Sequence, residues 1–361
     1  MRRIAHRGWP QRRLLDVASL LTTPLAPDDF LGLVNPLWSN RQLAGRVVDV
    51  RQETSDSATI VIRPGAGWRG HRAGQHVTLG IAVDGVRHQR SYSLTSPPRG
   101  VDGHISIAVK AVRDGLVSTH LVRRTAPGSI VFLGQAAGGF VLPEPPPERL
   151  LFVTAGSGVT PVMGMLRTLA RSGALHDAVL VHVDRQPSSV MFAGELRRHA
   201  GRRTLRLHEH HTAQDGRPSA AEILQRVPDW TERETWACGP SALLDDLQTR
   251  FDEAGVAARL RVERFHPAVA PGAHDAEGGT VTFTRSGVTV DVDGTTTLLA
   301  AGEAAGALLP SGCRAGICRT CVGSLRAGLV RDVRTGQVSG GAGDVIQTCV
   351  SVAAGAVAID L

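Results

Sequence analysis

Lysine is almost missing from this chain of 361 residues. Lys110 is the single one, so the 40 basic side chains, the formal net charge of +7 and the pI near 10.0 rest on arginine. Such a skew is a property of base composition rather than of a nucleic-acid-binding face, which argues against a nucleic acid partner and leaves an acidic protein partner open. No stretch of about 18 apolar residues occurs, which excludes a spanning helix. No internal repeat is visible, which excludes a solenoid or propeller. Tyrosine occurs once, at Tyr92, and cysteine five times, too few for a disulfide-stapled scaffold of this size. What is present is ordinary: 42% hydrophobic residues, and a length that calls for roughly two or three domains.

Near the start, Arg12-Arg13-Leu14-Leu15 has the look of a twin-arginine export signal. The apolar stretch after it is interrupted by Asp16, Ser19, Thr22, Thr23 and Pro24, which makes a poor signal core. Leu14, Val17, Ala18 and Leu21 instead follow the spacing of an amphipathic helix, behind Arg2, Arg3, Arg7, Arg12 and Arg13. The expectation is a basic, helical extension over residues 1–40 packed on the body, with a peripheral membrane or partner contact as the second reading.

Four of the five cysteines carry most of the information. Cys313, Cys318 and Cys321 stand at C-x4-C-x2-C, and Cys349 follows close to the C-terminus. That is the plant-type [2Fe–2S] ferredoxin spacing, in which four thiolates hold two irons and give a one-electron couple. Gly312 and Gly316 let the loop from Ser311 to Thr320 wrap three sulfurs around one face. Zinc is the rival for four cysteines, but zinc ribbons favour paired C-x2-C knuckles. Thiolates kept as ligands point to a reducing compartment, hence the cytoplasm, with the inner face of a membrane as a place of contact.

Two composition breaks, Pro143 to Pro147 and His266 to Gly279, leave three bodies after the extension. Residues 41–143 read as short alternating strands, such as Thr59–Ile62, His76–Leu79 and Ile105–Val109, in an antiparallel barrel. Residues 148–267 alternate apolar runs (Leu150–Val153, Ala178–Val183, Leu205–Leu207, Thr235–Ala237) with helical stretches such as Val162–Arg171, the pattern of a parallel α/β sheet. After a linker at 268–279, residues 280–361 place two short strands and a helix near Leu298–Ala305 ahead of the cysteine loop. The fold class is multidomain: barrel, parallel α/β domain, and a small α+β domain.

In the first body, Arg90-Ser91-Tyr92-Ser93 offers a guanidinium fork for a phosphate, a flat ring for an isoalloxazine and a hydroxyl for a flavin nitrogen. An ordinary strand with a core tyrosine is the alternative. Gly115 to Leu121 then gives a glycine, apolar Val117 and Ser118 at a helix start, suited to a pyrophosphate. In the second body, Gly156-Ser157-Gly158-Val159-Thr160-Pro161 follows a strand and opens a helix, and Cys238-Gly239-Pro240 follows another. Neither is the G-x-G-x-x-G fingerprint. Together in one sheet they point to a dinucleotide crevice at the strand C-terminal ends.

On these residues the chain resembles, from about Arg41 to Leu361, the ferredoxin-reductase-type flavoprotein oxidoreductases that carry a C-terminal ferredoxin module. The resemblance implies that the last domain is a β-grasp fold and that Arg90, Tyr92 and Ser93 bind the flavin, with Val117 and Ser118 by its pyrophosphate. It implies that Gly156 to Pro161, including Ser157, Gly158 and Thr160, holds the NAD(P)H pyrophosphate, and that Cys238, Gly239 and Pro240 lie by the nicotinamide. Tyr92, Ser93 and Cys238 then flank hydride transfer, and Cys313, Cys318, Cys321 and Cys349 ligate the cluster. The intact second flavin motif favours FAD over the FMN of the phthalate-dioxygenase-reductase branch.

At Asp184-Arg185-Gln186-Pro187-Ser188, Arg185 suits a 2′-phosphate and Asp184 a free ribose hydroxyl, so NADPH is preferred with NADH as the other donor. His208-Glu209-His210-His211 reads as an exposed strand end with at most incidental metal binding, since one histidine cluster without spanning helices does not make a membrane di-iron enzyme. Electrons would run from NADPH through FAD and the cluster to a partner protein. Pro27 to Ser39 looks like actinobacterial reductases that feed membrane fatty acyl desaturases, so the expected acceptor is a membrane di-iron desaturase or alkane-type hydroxylase. A soluble ring-hydroxylating dioxygenase or monooxygenase is the alternative, and an iron–sulfur redox sensor or scaffold the reading from another class.

Overall fold

The computed structural model describes residues 35–38, 42–83, 86–98, 100–112, 115–265, 278–312, 314, 316 and 319–361. The expected helix near Leu14–Leu21, most of Pro27–Ser39, most of the second linker, and Cys313 and Cys318 lie outside the described residues.

The first body holds β1 (Ala44–Thr54), β2 (Ser57–Pro64), β3 (His76–Val83), β4 (Val86–Ser93), β5 (Ile105–Lys110) and β6 (Ile130–Leu133). They form one antiparallel sheet in the order β4-β3-β6-β1-β2-β5. Period-2 burial fixes its inner face: Val77, Leu79, Ile81 and Val83 of β3 meet Ala58, Ile60 and Ile62 of β2 in one core. The two edge strands meet where Leu94 bridges Ile107 and Thr95 N donates to Ser106 O at 2.8 Å, which curls the sheet into a barrel. Helix α1 (Leu116–Arg123) lays Val117, Leu121 and Val122 on this core.

The second body is a five-stranded parallel sheet, ordered β11-β10-β7-β8-β9, from β7 (Leu150–Ala155), β8 (Ala178–Asp184), β9 (Arg206–His211), β10 (Glu234–Cys238) and β11 (Leu260–Glu263). Strand alternation divides it into two cores. Phe152, Leu180 and Trp236 face α2 (Val159–Ser172) and α3 (Ala193–Gly201); Leu151, Val153, Val179 and Val181 face α4 (Ala220–Gln225) and α5 (Ser241–Glu253). Both faces are covered, so β8 is buried at every residue, His182 and Asp184 included.

The seam between these bodies is polar and specific. Arg167 forks onto Glu195 (2.9 and 2.6 Å) and donates to Thr95 O at 2.9 Å. Phe192 N donates to Glu53 Oε2 at 3.2 Å, and Trp236 Nε1 to Val141 O at 3.3 Å. Gly164 of α2 lies against the Leu94 carbonyl so closely that any side chain there would collide with it.

The third body has a five-stranded mixed sheet, ordered β13-β12-β19-β14-β17, and a three-stranded one, β16-β15-β18. Its strands are β12 (Gly279–Phe283), β13 (Val288–Val292), β14 (Val322–Ala327), β15 (Val330–Asp332), β16 (Val338–Ser339), β17 (Val345–Gln347), β18 (Ser351–Ala353) and β19 (Val357–Asp360). Helix α6 (Leu298–Ala304), capped by Thr297, crosses the sheet and sets Gly302 flat on the Phe283 ring, giving the grasp-like α+β arrangement.

Candidate functional site

A cavity of about 370 Å3 opens at the junction of the three bodies. Strand β4 supplies Arg90, Tyr92 and Ser93; the first turn of α1 supplies Val117 and Ser118; the β7–α2 loop supplies Ser157 and the first turn of α2 Thr160. Burial pushes the Tyr92 hydroxyl above its usual range, against the pull of the Arg90 charge, so the ring is neutral at working pH. The Ser91 and Ser93 hydroxyls are buried with no hydrogen-bond partner among the described residues. Orphaned hydroxyls beside a flat ring and a guanidinium fit a polar-edged aromatic cofactor such as a flavin. Ser118 differs from expectation in one respect. Its Oγ accepts from Val112 N at 3.1 Å and donates to Gly115 O at 3.3 Å, so the hydroxyl holds its own loop.

The nucleotide loops meet where the strand order reverses. From β7 the chain proceeds outward to β8 and β9, then crosses back to β10 and β11, leaving β7 and β10 as neighbours. Gly156–Gly158 follows β7, and Gly239-Pro240 follows Cys238 at the end of β10, at the switch point where a parallel sheet binds its ligand. Gly156 takes a φ of 54°, and a side chain at Gly158 would collide with the Cys238 carbonyl. Thr160 Oγ1 donates to Ser157 O at 2.9 Å, and Pro161 is buried in the first turn of α2. Cys238 is 1% exposed and its thiol is pushed well up, by burial first and by Glu263 second, so it is a neutral thiol and not a thiolate.

Glu263 is the residue that sequence reasoning missed. It ends β11 directly opposite Cys238 in the parallel ladder and lines the cavity. Burial raises its carboxyl to about 8, and Oε2 has no hydrogen-bond partner among the described residues. The available signal was the short strand Leu-Arg-Val-Glu ahead of the second composition break. Lys110, also in the cavity wall, lies 3.8 Å from Asp184 Oδ1 and donates to Ser189 O at 3.4 Å.

Asp184 and Arg185 behave differently from one another. Asp184 is buried; its Oδ1 accepts from Arg185 N and from Ser189 Oγ, both at 2.6 Å, and its Oδ2 lies 3.6 Å from His182 Nε2. That network holds Oδ1 inside the loop, while Oδ2 has no hydrogen-bond partner among the described residues. The Arg185 side chain is exposed. The histidine run is not an exposed strand end: none of its residues is exposed, His210 is held between Gly216 O (2.8 Å) and Arg226 Nη2 (3.1 Å), and Glu209 is forked by Arg197.

In the third body, Cys321 and Cys349 are buried, at 1% and 5% exposure, in one small core with Leu299, Val350 and Val352. Thr348 binds the two segments together, its N and Oγ1 both donating to Cys321 O at 3.0 and 2.9 Å. Around the two cysteines outside the described residues, Arg314, Gly316 and Arg319 have φ of 58°, 71° and 54°, a tightly wound loop that two arginines enter against their steric preference. Buried sulfurs beside such a loop fit a thiolate-held cluster. The loop also reaches the cavity: Arg314 lines it while pairing with Glu303 at 2.6 Å, and Gly312 O lies 3.5 Å from Arg90 Nη1.

Comparison with known proteins agrees with this division. Residues 49–141 match the family described as an oxidoreductase FAD-binding domain, and residues 281–354 match the 2Fe-2S iron-sulfur cluster binding domain. The chain is 48% identical to an NADPH oxidoreductase of Mycobacterium tuberculosis, over 99% of this chain and 93% of that protein. It is 31% identical to the glycine betaine monooxygenase reductase subunit of Pseudomonas aeruginosa, over 90% of this chain and 96% of the relative. In fold it is similar to phthalate dioxygenase reductase, with a TM-score of 0.62 at 23% identity, covering 88% of this chain and 97% of the other.

Proposed function

The chain belongs to the ferredoxin-reductase-type flavoprotein oxidoreductases with a C-terminal [2Fe–2S] domain, and on that premise we propose that it is the NADPH-oxidising reductase component of an oxygenase or desaturase system. It is an oxidoreductase that uses FAD, NAD(P)H and a [2Fe–2S] cluster. When bound, the flavin supplies conversion of a hydride pair into single electrons, and the cluster supplies one-electron delivery.

The observation that carries the reading is the shared cavity, whose wall takes Tyr92 and Ser93 from the barrel, Ser157 and Thr160 from the nucleotide domain and Arg314 from the cluster loop. In this reading Arg90 holds a flavin phosphate, Tyr92 stacks on the ring, and the Ser93 hydroxyl donates to the ring edge. Val117 packs by the flavin and Ser118 keeps its loop in shape. The loop of Gly156, Ser157, Gly158, Thr160 and Pro161 presents backbone N–H groups to the nucleotide pyrophosphate. Cys238, with Gly239 and Pro240, bounds the nicotinamide pocket, and the protonated Glu263 closes it. Cys313, Cys318, Cys321 and Cys349 hold the cluster. Domain boundaries at 41–143, 148–267 and 280–361, after an extension at 1–40, suit this division of labour.

Arg185, exposed beside Asp184, whose Oδ1 is held within the loop, supports NADPH over NADH. For the acceptor we favour a membrane di-iron desaturase or alkane-type hydroxylase, supported by the likeness of Pro27–Ser39 to reductases that serve such enzymes. Among the described residues no helix is long and apolar enough to cross a membrane, so membrane contact would be peripheral. The monooxygenase reductase relative supports a second reading, a soluble oxygenase acceptor. Anaerobic titration with NADPH and with NADH, followed by absorbance and EPR, tests the electron path. Flavin bleaching followed by a rhombic [2Fe–2S] signal is expected, with NADPH faster; bleaching without that signal would overturn the path.

A further inference from the structure

Beneath the cluster loop lies a set of side chains that neither the family likeness nor the cysteine spacing assigns. Gly316, midway between Cys313 and Cys318, turns its carbonyl toward β15 and β17. There its oxygen accepts from Arg334 Nη1 at 3.1 Å and from Gln347 Nε2 at 3.0 Å. The guanidinium is fixed from the other side: Arg334 Nε and Nη2 fork onto Asp332 Oδ1 and Oδ2 at 3.1 and 2.6 Å, and the Arg334 backbone N reaches Asp332 Oδ1 at 2.8 Å. Nη2 also lies 3.3 Å from Gln347 Oε1. Asp332 ends β15, opposite Ser351, and Gln347 ends β17, so both stand two residues from Cys349 along the chain or across the ladder.

The fit explains Gly316. Its φ of 71° disfavours a side chain, and a Cβ there would run into Arg334 Nη1 and Cζ. Both members of the ion pair are mostly withdrawn from water, at 32% and 25% side-chain exposure. Val333 N, beside Arg334, donates to the carbonyl of Val350, which follows Cys349, at 2.8 Å, so the clamp's strand is fastened to the cysteine segment.

We propose that Arg334 and Asp332 form a charged clamp that positions the cluster loop through Gly316 and sets the reduction potential of the cluster, the cation raising it and the carboxylate lowering it. Reduction adds one negative charge to the centre, and a fixed cation at short range in a partly dry setting favours the added electron, while a fixed anion opposes it. The pair as built is a compromise in which each charge tempers the other. The proposal rests on the four-cysteine ligation above, and a lack of any [2Fe–2S] signal from the unaltered full-length protein would count against that ligation, not against the clamp.

The test is an EPR-monitored redox titration of full-length protein carrying Arg334→Ala, Arg334→Lys or Asp332→Asn. Arg334→Ala should shift the reduced-to-oxidised ratio about tenfold toward the oxidised cluster, 59 mV for one electron. Asp332→Asn should shift it the opposite way, and Arg334→Lys should restore most of the potential while broadening the EPR line, because an ammonium keeps the charge but cannot make both contacts. Opposite signs are the diagnostic, since a merely structural role would move the two alanine and asparagine variants alike. Shifts of one sign, shifts below twofold, or loss of the cluster from all three variants would each overturn the assignment of potential to this pair.

Discussion

The two seams of this molecule are built to different standards. Between barrel and nucleotide domain, α2 lies directly on the Leu94 carbonyl, and Arg167, Glu195, Glu53, Trp236 and Lys110 stitch strand to loop. Between the barrel and the cluster loop, the described residues include an Arg90–Gly312 approach at 3.5 Å and Arg314 in the cavity wall. Hydride transfer demands close approach in one orientation, and a small misplacement is expensive. A single electron needs nearness without orbital alignment between bonded partners. The difference teaches which step each seam has to serve: the first fixes geometry, while the second, in the reading proposed above, has only to bring the cluster near the flavin.

The most severe way to separate the seams is Cys321→Ser. Cluster EPR and cytochrome c reduction should fall to background, with NADPH-driven ferricyanide reduction kept within about twofold; collapse of both activities would mean that the regions do not act separately. Next comes Gly158→Ala, which sets a methyl against the Cys238 carbonyl. Flavin bleaching by NADPH in stopped flow should slow by about tenfold or more, yet dithionite should still develop the full cluster signal.

Arg167→Ala loosens the rigid seam and leaves Glu195 without its partner, at a cost of ~1–3 kcal/mol in urea unfolding. An unchanged midpoint would show that Arg167 contributes nothing to holding the seam. Arg185→Ala should weaken NADPH about tenfold, or ~1.4 kcal/mol, and leave NADH untouched; equal losses would remove the 2′-phosphate role.

The pH-dependent effect concerns Glu263. With its carboxyl raised from 4.5 to about 8, the folded protein keeps a proton that the unfolded chain has lost. Stability is therefore fullest below the unfolded value and declines as pH rises from about 4.5 to about 8. Glu263→Gln should flatten that decline, raising Tm more at pH 8.5 than at pH 5. The same gain at both pH values would deny the buried proton.

Legibility in the sequence followed the kind of constraint involved. The cysteine loop was readable because ligand spacing is covalent chemistry, and the barrel strands because Val77, Leu79 and Ile81 alternate over a single core. Strand β11 was not, since its Leu-Arg-Val-Glu alternation runs for only four residues with two arginines and a glutamate close by, too short to stand out from a solvated turn, and Glu263 was lost with it. That Ser189 folds back onto one oxygen of Asp184 was likewise not legible, because the contact is set by the turn and not by residue type. The histidine run looked exposed because its polarity is satisfied by Arg226 and Arg197, partners that come from other elements. The clamp under Gly316 joins segments 31 residues apart and leaves no local trace.

The lone lysine makes this protein an unusual subject for covalent labelling. An amine-directed reagent finds one internal target, and that amine stands half-hidden between Asp184 and the Ser189 carbonyl, at the seam rather than on an outer face. Amine cross-linkers would therefore say little about where an acceptor docks, and mapping that contact calls for carboxylate- or guanidinium-directed chemistry. Conversely, the rate at which Lys110 is acylated is a built-in gauge of how open the cavity wall is at that seam, readable by mass spectrometry without altering a single residue.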